Sequence, residues 1–211
     1  TLTHFHSADT SCEQTTAQWR RFLGALDALR TAGVDTGFVH AANSAAALRY
    51  EEYSADLVRP GIRLYGGGRW EPSGRPVVAV RARVLDVREV EAGATVSYGA
   101  TWSSPDAARL ATIGIGYGDG LRRELSNRGR LLIHGRSAPI RGVVCMDSTV
   151  VELGERDDVQ PGDVATVLGQ DHGMEIGLDE LAVLCGTIDY EILTGWSRRL
   201  PRIEIHGRSG R

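Results

Sequence analysis

Apolar residues recur at spacings of three and four early in the chain and at spacings of two beyond residue 77. Trp19, Phe22, Leu23, Leu26 and Leu29 line one side of a helix, which the pattern ends near Gly33. Ser11-Cys12-Glu13-Gln14 before it fits a capping box. Residues 2–5 read as a short strand end, 37–40 as a buried strand, 44–49 as a short helix and 62–65 as another strand. Strand, helix and strand joined by short connections imply a parallel sheet, with functional residues at strand C-terminal ends. A complete eight-stranded α/β barrel takes roughly 250 residues, so the first 76, if barrel, are its last part.

Gly66-Gly67-Gly68 and residues 71–76 read as a linker, dividing the chain into residues 1–76 and 77–211. Val78, Val80, Ala82 and Val84 alternate with Ala79, Arg81 and Arg83, and the apolar phase then slips to Leu85 and Val87. A period of two with one slip predicts a strand with a bulge. Short strands follow at 110–115, 130–133, 138–144, 149–153 and 163–168, separated by turns containing Gly or Pro. They predict an antiparallel β domain. Residues 178–184 read as a helix and 202–205 as extended. The fold class is thus α/β plus all-β.

Composition narrows the function. Across 211 residues, 42% hydrophobic and 24% charged positions exclude disordered and fibrous chains. No run approaches the roughly 18 apolar residues of a membrane span. The chain starts at Thr1 with no apolar leader, so no signal peptide is expected; it is either processed or part of a longer chain. A net charge of −3 argues against a nucleic-acid partner. Cys12, Cys145 and Cys185 lack metal-like spacing and read as reduced thiols of a cytoplasmic protein; no metal site is expected. All 24 basic residues are Arg, so no side-chain amine is available for a Schiff base.

Asn43-Ser44 follows an expected strand and opens a helix, where amides and a hydroxyl suit a phosphate. Taken singly, Ser44 reads as a helix cap, Arg59 as a surface residue, Tyr98 as a core aromatic on a strand, Met146 as core and Tyr190 as a packed strand-end tyrosine. Their surroundings read differently. His4-Phe5-x-x-Ala8-Asp9, His40-x-Ala42-Asn43-Ser44-Ala45-Ala46 and Val58-Arg59-Pro60-Gly61-Ile62-x-Leu64-Tyr65-Gly66 stand in the first part. Val96-Ser97-Tyr98-Gly99-Ala100-Thr101-Trp102, Gly114-Ile115-Gly116-Tyr117-x-Asp119-Gly120, Val144-Cys145-Met146-Asp147 and Thr187-Ile188-x-Tyr190-Glu191 stand in the second. In this order and spacing they resemble the alanine racemase family.

The resemblance implies the last part of a TIM-type (β/α)8 barrel binding pyridoxal 5'-phosphate (PLP), followed by a C-terminal β domain. It also implies a homodimer whose sites are shared across subunits. The family's PLP lysine has no match here, so the chain alone is expected to be inactive. The implied reaction interconverts L- and D-alanine by two-base proton transfer, supplying D-alanine for peptidoglycan. Tyr98 matches the second base, and His4 and Arg59 match the residues linking it to the cofactor ring. Arg59 faces the pyridine nitrogen and His40 braces it. Asn43, Ser44, Gly61, Ile62 and Tyr190 match the cofactor and phosphate contacts. Tyr117, Met146 and Asp147 match substrate and entrance positions, as does Asp119. Gly118 stands where the family usually has alanine, and His6 where it has a small residue. A serine or broad-specificity racemase and a non-catalytic dimerisation module are the alternatives.

Overall fold

The computed structural model describes residues 1–68, 70, 74–154 and 158–205. The chain divides into two compact units, Thr1–Val77 and Val78–Arg211. Residues 71–73 of the expected linker lie outside the described residues.

In the first unit, α1 (Cys12–Thr31) begins where Ser11 accepts a hydrogen bond from the Gln14 N–H. This is half of the expected capping box; the Ser11 N–H donates instead to Ser7 O. Phe22 and Leu26 are buried, one turn apart. They join Phe5, Val39 and Tyr53 in a small core against which Trp19 packs. The Trp19 and Tyr53 rings lie 5.4 Å apart, and the Phe5 and Tyr53 rings 5.5 Å. The second helix, α2 (Ser44–Arg49), is capped by Asn43 rather than Ser44, because Asn43 accepts from the Ala46 N–H.

Three expected strand segments are absent from this unit. Residues 37–40 contribute only a parallel bridge from His40 to Leu2, with Phe38 exposed, and residues 2–5 are likewise reduced to that bridge. A ladder needs neighbours along its length, and these segments meet at one residue pair. Residues 62–65 form a 3₁₀ turn, Ile62–Tyr65, instead of a strand. Gly66 closes that turn in the left-handed region at φ 83°, and Leu64 and Tyr65 stay exposed. A second parallel bridge joins Asn43 to Arg59. The parallel orientation survives; the ladders do not.

The second unit is built on antiparallel strands: β1 (Val80–Val90), β2 (Thr95–Val96), β3 (Trp102–Ser103), β4 (Ala108–Ile113), β5 (Arg130–Ile133), β6 (Arg136–Pro139), β7 (Thr149–Glu152), β8 (Val164–Asp171) and β9 (Met174–Ile176). The main sheet runs β6-β5-β8-β1-β4-β7, with β9 on β8. Ile140 bridges antiparallel to Val151 and the Arg141 N–H donates to Val150 O, joining the two ends of the sheet. The expected strand 138–144 therefore stops at Pro139 apart from this bridge; Gly142, at φ 77°, turns the backbone out of it.

The slip in β1 is a bulge at Leu85, where the register on β4 shifts between Val84 and Asp86. Leu85 is exposed, while Val80 and Val84 join a core with Ile113, Leu132, Ile133, Val151 and Val167. Helix α3 (Leu178–Cys185) packs Leu181 and Ala182 into that core, and α4 (Asp189–Thr194) packs Ile192. Residues 202–205 form no strand, and Ile203 and Ile205 are exposed. Among the described residues, no helix is long and apolar enough to cross a membrane, and no cluster of His, Cys, Asp or Glu could hold a metal ion. The three cysteines are free.

Candidate active site

The first unit holds seven of the expected residues: His4, His40 and Asn43 beside Arg59, and Ser44, Gly61 and Ile62 in a second group. Backbone pairing of the Arg59 N–H with Ala42 O sets Arg59 beside Asn43. Its NH1 donates to His40 Nδ1 at 2.5 Å; its NH2 donates to Thr3 O at 2.9 Å and Ala41 O at 3.3 Å, with His4 Nδ1 at 3.4 Å. A guanidinium offers only donors, so Arg59 can only donate. Accepting from Arg59 requires His40 Nδ1 to be unprotonated. Burial and then the Arg59 charge hold the His40 imidazole below its ordinary value.

Asn43 belongs to the frame. Its Oδ1 caps α2, and its Nδ2 donates to Phe5 O at 3.1 Å and lies 3.4 Å from His4 Nε2. Ser44 is buried, and its Oγ accepts from the Gly61 N–H at 2.8 Å and the Arg63 N–H at 3.5 Å. The Gly61 amide is thus engaged with Ser44 rather than free for an anion, while the Ser44 proton is left to donate. The Ile62 N–H opens the 3₁₀ turn, where no earlier carbonyl of that turn reaches it. A Cβ added at Gly61 would meet nothing within 4 Å, so that side is open.

The second unit holds the other six. Tyr98 sits on a one-turn 3₁₀ segment at the tip of the β2–β3 hairpin and is 74% exposed. The core-aromatic reading of Tyr98 fails, since the strand ends at Val96. Tyr117 stands on a 3₁₀ turn, Tyr117–Asp119, and is half exposed, as is Met146, which is therefore not core either. These two are brought together by backbone: the Tyr117 N–H donates to Cys145 O at 2.8 Å, and the Gly118 N–H to Met146 O at 2.9 Å. That approach requires glycine at 116, where a Cβ would fall 2.2 Å from Cys145 O.

Asp119 is buried and accepts from the Gly116 N–H at 3.0 Å, so it shapes the turn rather than lining an entrance. Asp147 pairs with Arg199, whose Nε also reaches Asp119 at 3.3 Å. Arg199 escapes a reading of the sequence, because an arginine in an exposed C-terminal run carries no local signal. Tyr190 lies on α4 and is half exposed, so the strand-end reading fails. Just beyond that helix, the Ser197 N–H donates to Asp119 O, tying the segment to the Tyr117 turn.

Comparison with known proteins follows this division. Residues 1–68 match the family model "Alanine racemase, N-terminal domain", and residues 77–204 match "Alanine racemase, C-terminal domain". The alanine racemase of Desulfosudis oleivorans is 40% identical over 99% of this chain and 55% of its own length. Alanine racemase from Bacillus anthracis, solved with bound L-Ala-P, superposes with a TM-score of 0.91 at 35% identity, over 98% of this chain and 55% of that one. The enzyme from Bartonella henselae, solved with covalently bound pyridoxal phosphate, gives 0.85 at 35% identity, over 97% and 56%. The chain spans about half the length of the relatives it matches. Its fold is the last part of the family's α/β barrel followed by an antiparallel β domain, and the chain belongs to the alanine racemase family.

Proposed function

We propose that this chain is the portion of a PLP-dependent alanine racemase that holds the cofactor and supplies one of two bases. Residues 1–76 act as the end of the cofactor barrel and residues 77–211 as the β domain. The supporting observation is the Arg59 frame: NH1 and NH2 are fixed by His40, Thr3 and Ala41, whereas Nε has no partner among the described residues. An N–H held this rigidly suits a neutral aromatic nitrogen acceptor. The buried Ser44 hydroxyl, whose proton has no acceptor among the described residues, suits a phosphate oxygen. These residues fit PLP, with Ile62 as a further phosphate donor, Gly61 leaving room, and Asn43 and His4 holding the frame.

When bound, the cofactor withdraws electrons from the substrate's α-carbon and makes its proton removable. Arg59 donates a hydrogen bond to the ring without handing over a proton, which favours returning the proton to carbon over side reactions. His40 stays neutral to keep Arg59 oriented. Tyr98 takes or returns the α-proton on one face. A phenol needs a cationic or hydrogen-bonding neighbour to do so. The amine for the other face comes from outside this sequence, which has no Lys. Tyr117, Met146 and Asp147 shape the approach of the substrate carboxylate. In the homodimer, Tyr98, Tyr117 and Met146 serve the site of the partner subunit. The D-alanine made would supply peptidoglycan.

The test is Tyr98→Phe in the full-length enzyme. The two enantiomers are equally stable, so kcat/KM must fall equally in both directions, by about a thousandfold for loss of a positioned base. Exchange of the α-hydrogen with D2O should persist from one enantiomer and vanish from the other. Equal loss from both would overturn the assignment. Assaying serine alongside alanine separates the narrow from the broad-specificity enzyme.

A further inference from the structure

Ser97 adopts φ 64° and ψ −177°, a region that essentially only glycine enters without strain. Glycine would make this turn freely. What serine adds is a hydroxyl, and that hydroxyl donates to Val143 O at 2.6 Å, with Cys145 Sγ at 3.2 Å. The segment it grips, residues 141–146, leads directly to Met146 and accepts the Tyr117 N–H at Cys145 O.

The same segment holds the hairpin at three further points. The Arg141 guanidinium lies over the Trp102 ring, 5.4 Å from its centre. The Gly142 N–H donates to Asn127 Oδ1 at 2.6 Å, and Asn127 Nδ2 donates to Thr101 Oγ1 at 3.0 Å. Gly142 itself lies so close that a Cβ there would sit 2.7 Å from Val96 O. Both flanks of Tyr98 are therefore anchored to the stretch that also sets Tyr117 and Met146. Around Tyr98, Ser97, Gly99 and Ala100 all have positive φ, so the turn has few intrinsic preferences holding it in place.

We propose that Ser97 is a positioning residue: its hydroxyl, tied to the Val143 carbonyl, fixes the direction of Tyr98 relative to Tyr117 and Met146, and the backbone strain at Ser97 is the cost of that tie. The proposal rests on reading Tyr98 as a base, which Tyr98→Phe tests separately.

The experiment compares Ser97→Gly and Ser97→Ala in the full-length enzyme loaded with cofactor, measuring Tm, kcat and KM for alanine. Amide hydrogen exchange of the peptide spanning Tyr98 is followed in parallel. Ser97→Gly releases the strain and loses the tie. It should keep or raise Tm while lowering kcat about tenfold or more, with KM within about threefold, as expected when a reacting group is slightly misplaced. Ser97→Ala keeps the strain and loses the tie. It should lower Tm and reproduce the kcat loss. Exchange around Tyr98 should quicken in both. Wild-type kcat in Ser97→Gly, or unchanged exchange in both variants, overturns the proposal. Should Tyr98→Phe retain full activity, the reading of Tyr98 as a base falls, and the exchange measurement still decides whether Ser97 holds the turn.

Discussion

Replacing Gly116 by alanine puts a methyl group where backbone already stands. The added Cβ would lie 2.2 Å from Cys145 O, 2.4 Å from Met146 O and 2.5 Å from Met146 C. None of these is a flexible side-chain end, and the Gly116 backbone is extended at φ −147°, so space rather than conformation forbids the side chain. Relief requires the two segments to separate, which strains or breaks the Tyr117 N–H to Cys145 O and Gly118 N–H to Met146 O bonds. Overpacking costs about 1–3 kcal/mol, and each hydrogen bond contributes about 0.5–1.5 kcal/mol. The sum is about 2–6 kcal/mol, or about 4–24 °C in Tm for a chain of this size. Gly114→Ala is the matched control. The three atoms nearest its Cβ would all belong to the Leu85 side chain, the closest at 3.1 Å, and Leu85 is exposed and free to turn away. That variant should lose less than about 1 kcal/mol. Thermal unfolding of the two variants side by side is the assay. Equal Tm shifts would refute the claim that backbone contact at residue 116 holds Tyr117 against Met146.

Three further outcomes follow from the same structure. His40, held below its ordinary value of 6.5 by burial and then by Arg59, binds fewer protons folded than unfolded, so its contribution is present above pH 6.5 and lost as pH falls through the folded value. His40→Asn, which cannot titrate, should flatten the Tm-against-pH curve below 6.5, and an unchanged slope would count against the His40–Arg59 arrangement. Leu26→Ala, at a position 2% exposed, should cost about 2–5 kcal/mol in denaturant unfolding, whereas Leu23→Ala, half exposed on the same helix, should cost under about 1 kcal/mol. Arg130→Met removes a two-pronged pairing with Glu180, at 2.7 and 2.8 Å, and a bond to Glu175 O, and should lower stability by about 1–3 kcal/mol. Glu180→Gln, which retains an acceptor, should cost less; the reverse order would argue that the pair is not holding α3 to β5.

Local patterning carried much of the architecture. The periodicity of Phe22 and Leu26 determined α1, and the slip after Val84 determined a bulged strand, because both depend only on which side of a regular backbone a residue points. The motifs around Tyr98 and Arg59 carried the family. Residues 62–65 show where such reading stops: a four-residue apolar run fits a strand or a turn equally, and Gly61 and Gly66 bounded it into a 3₁₀ turn. Residues 37–40 lacked a ladder for another reason, since a strand exists only where a partner runs alongside it. The site was decided by tertiary structure. Arg59 is aimed by His40 and Thr3, 19 and 56 residues away, and Tyr98 is steadied through Ser97 by Val143, 46 residues from that serine. Contacts at such separations leave no periodic trace in the chain, because their geometry is set by how the backbone segments come to lie beside one another.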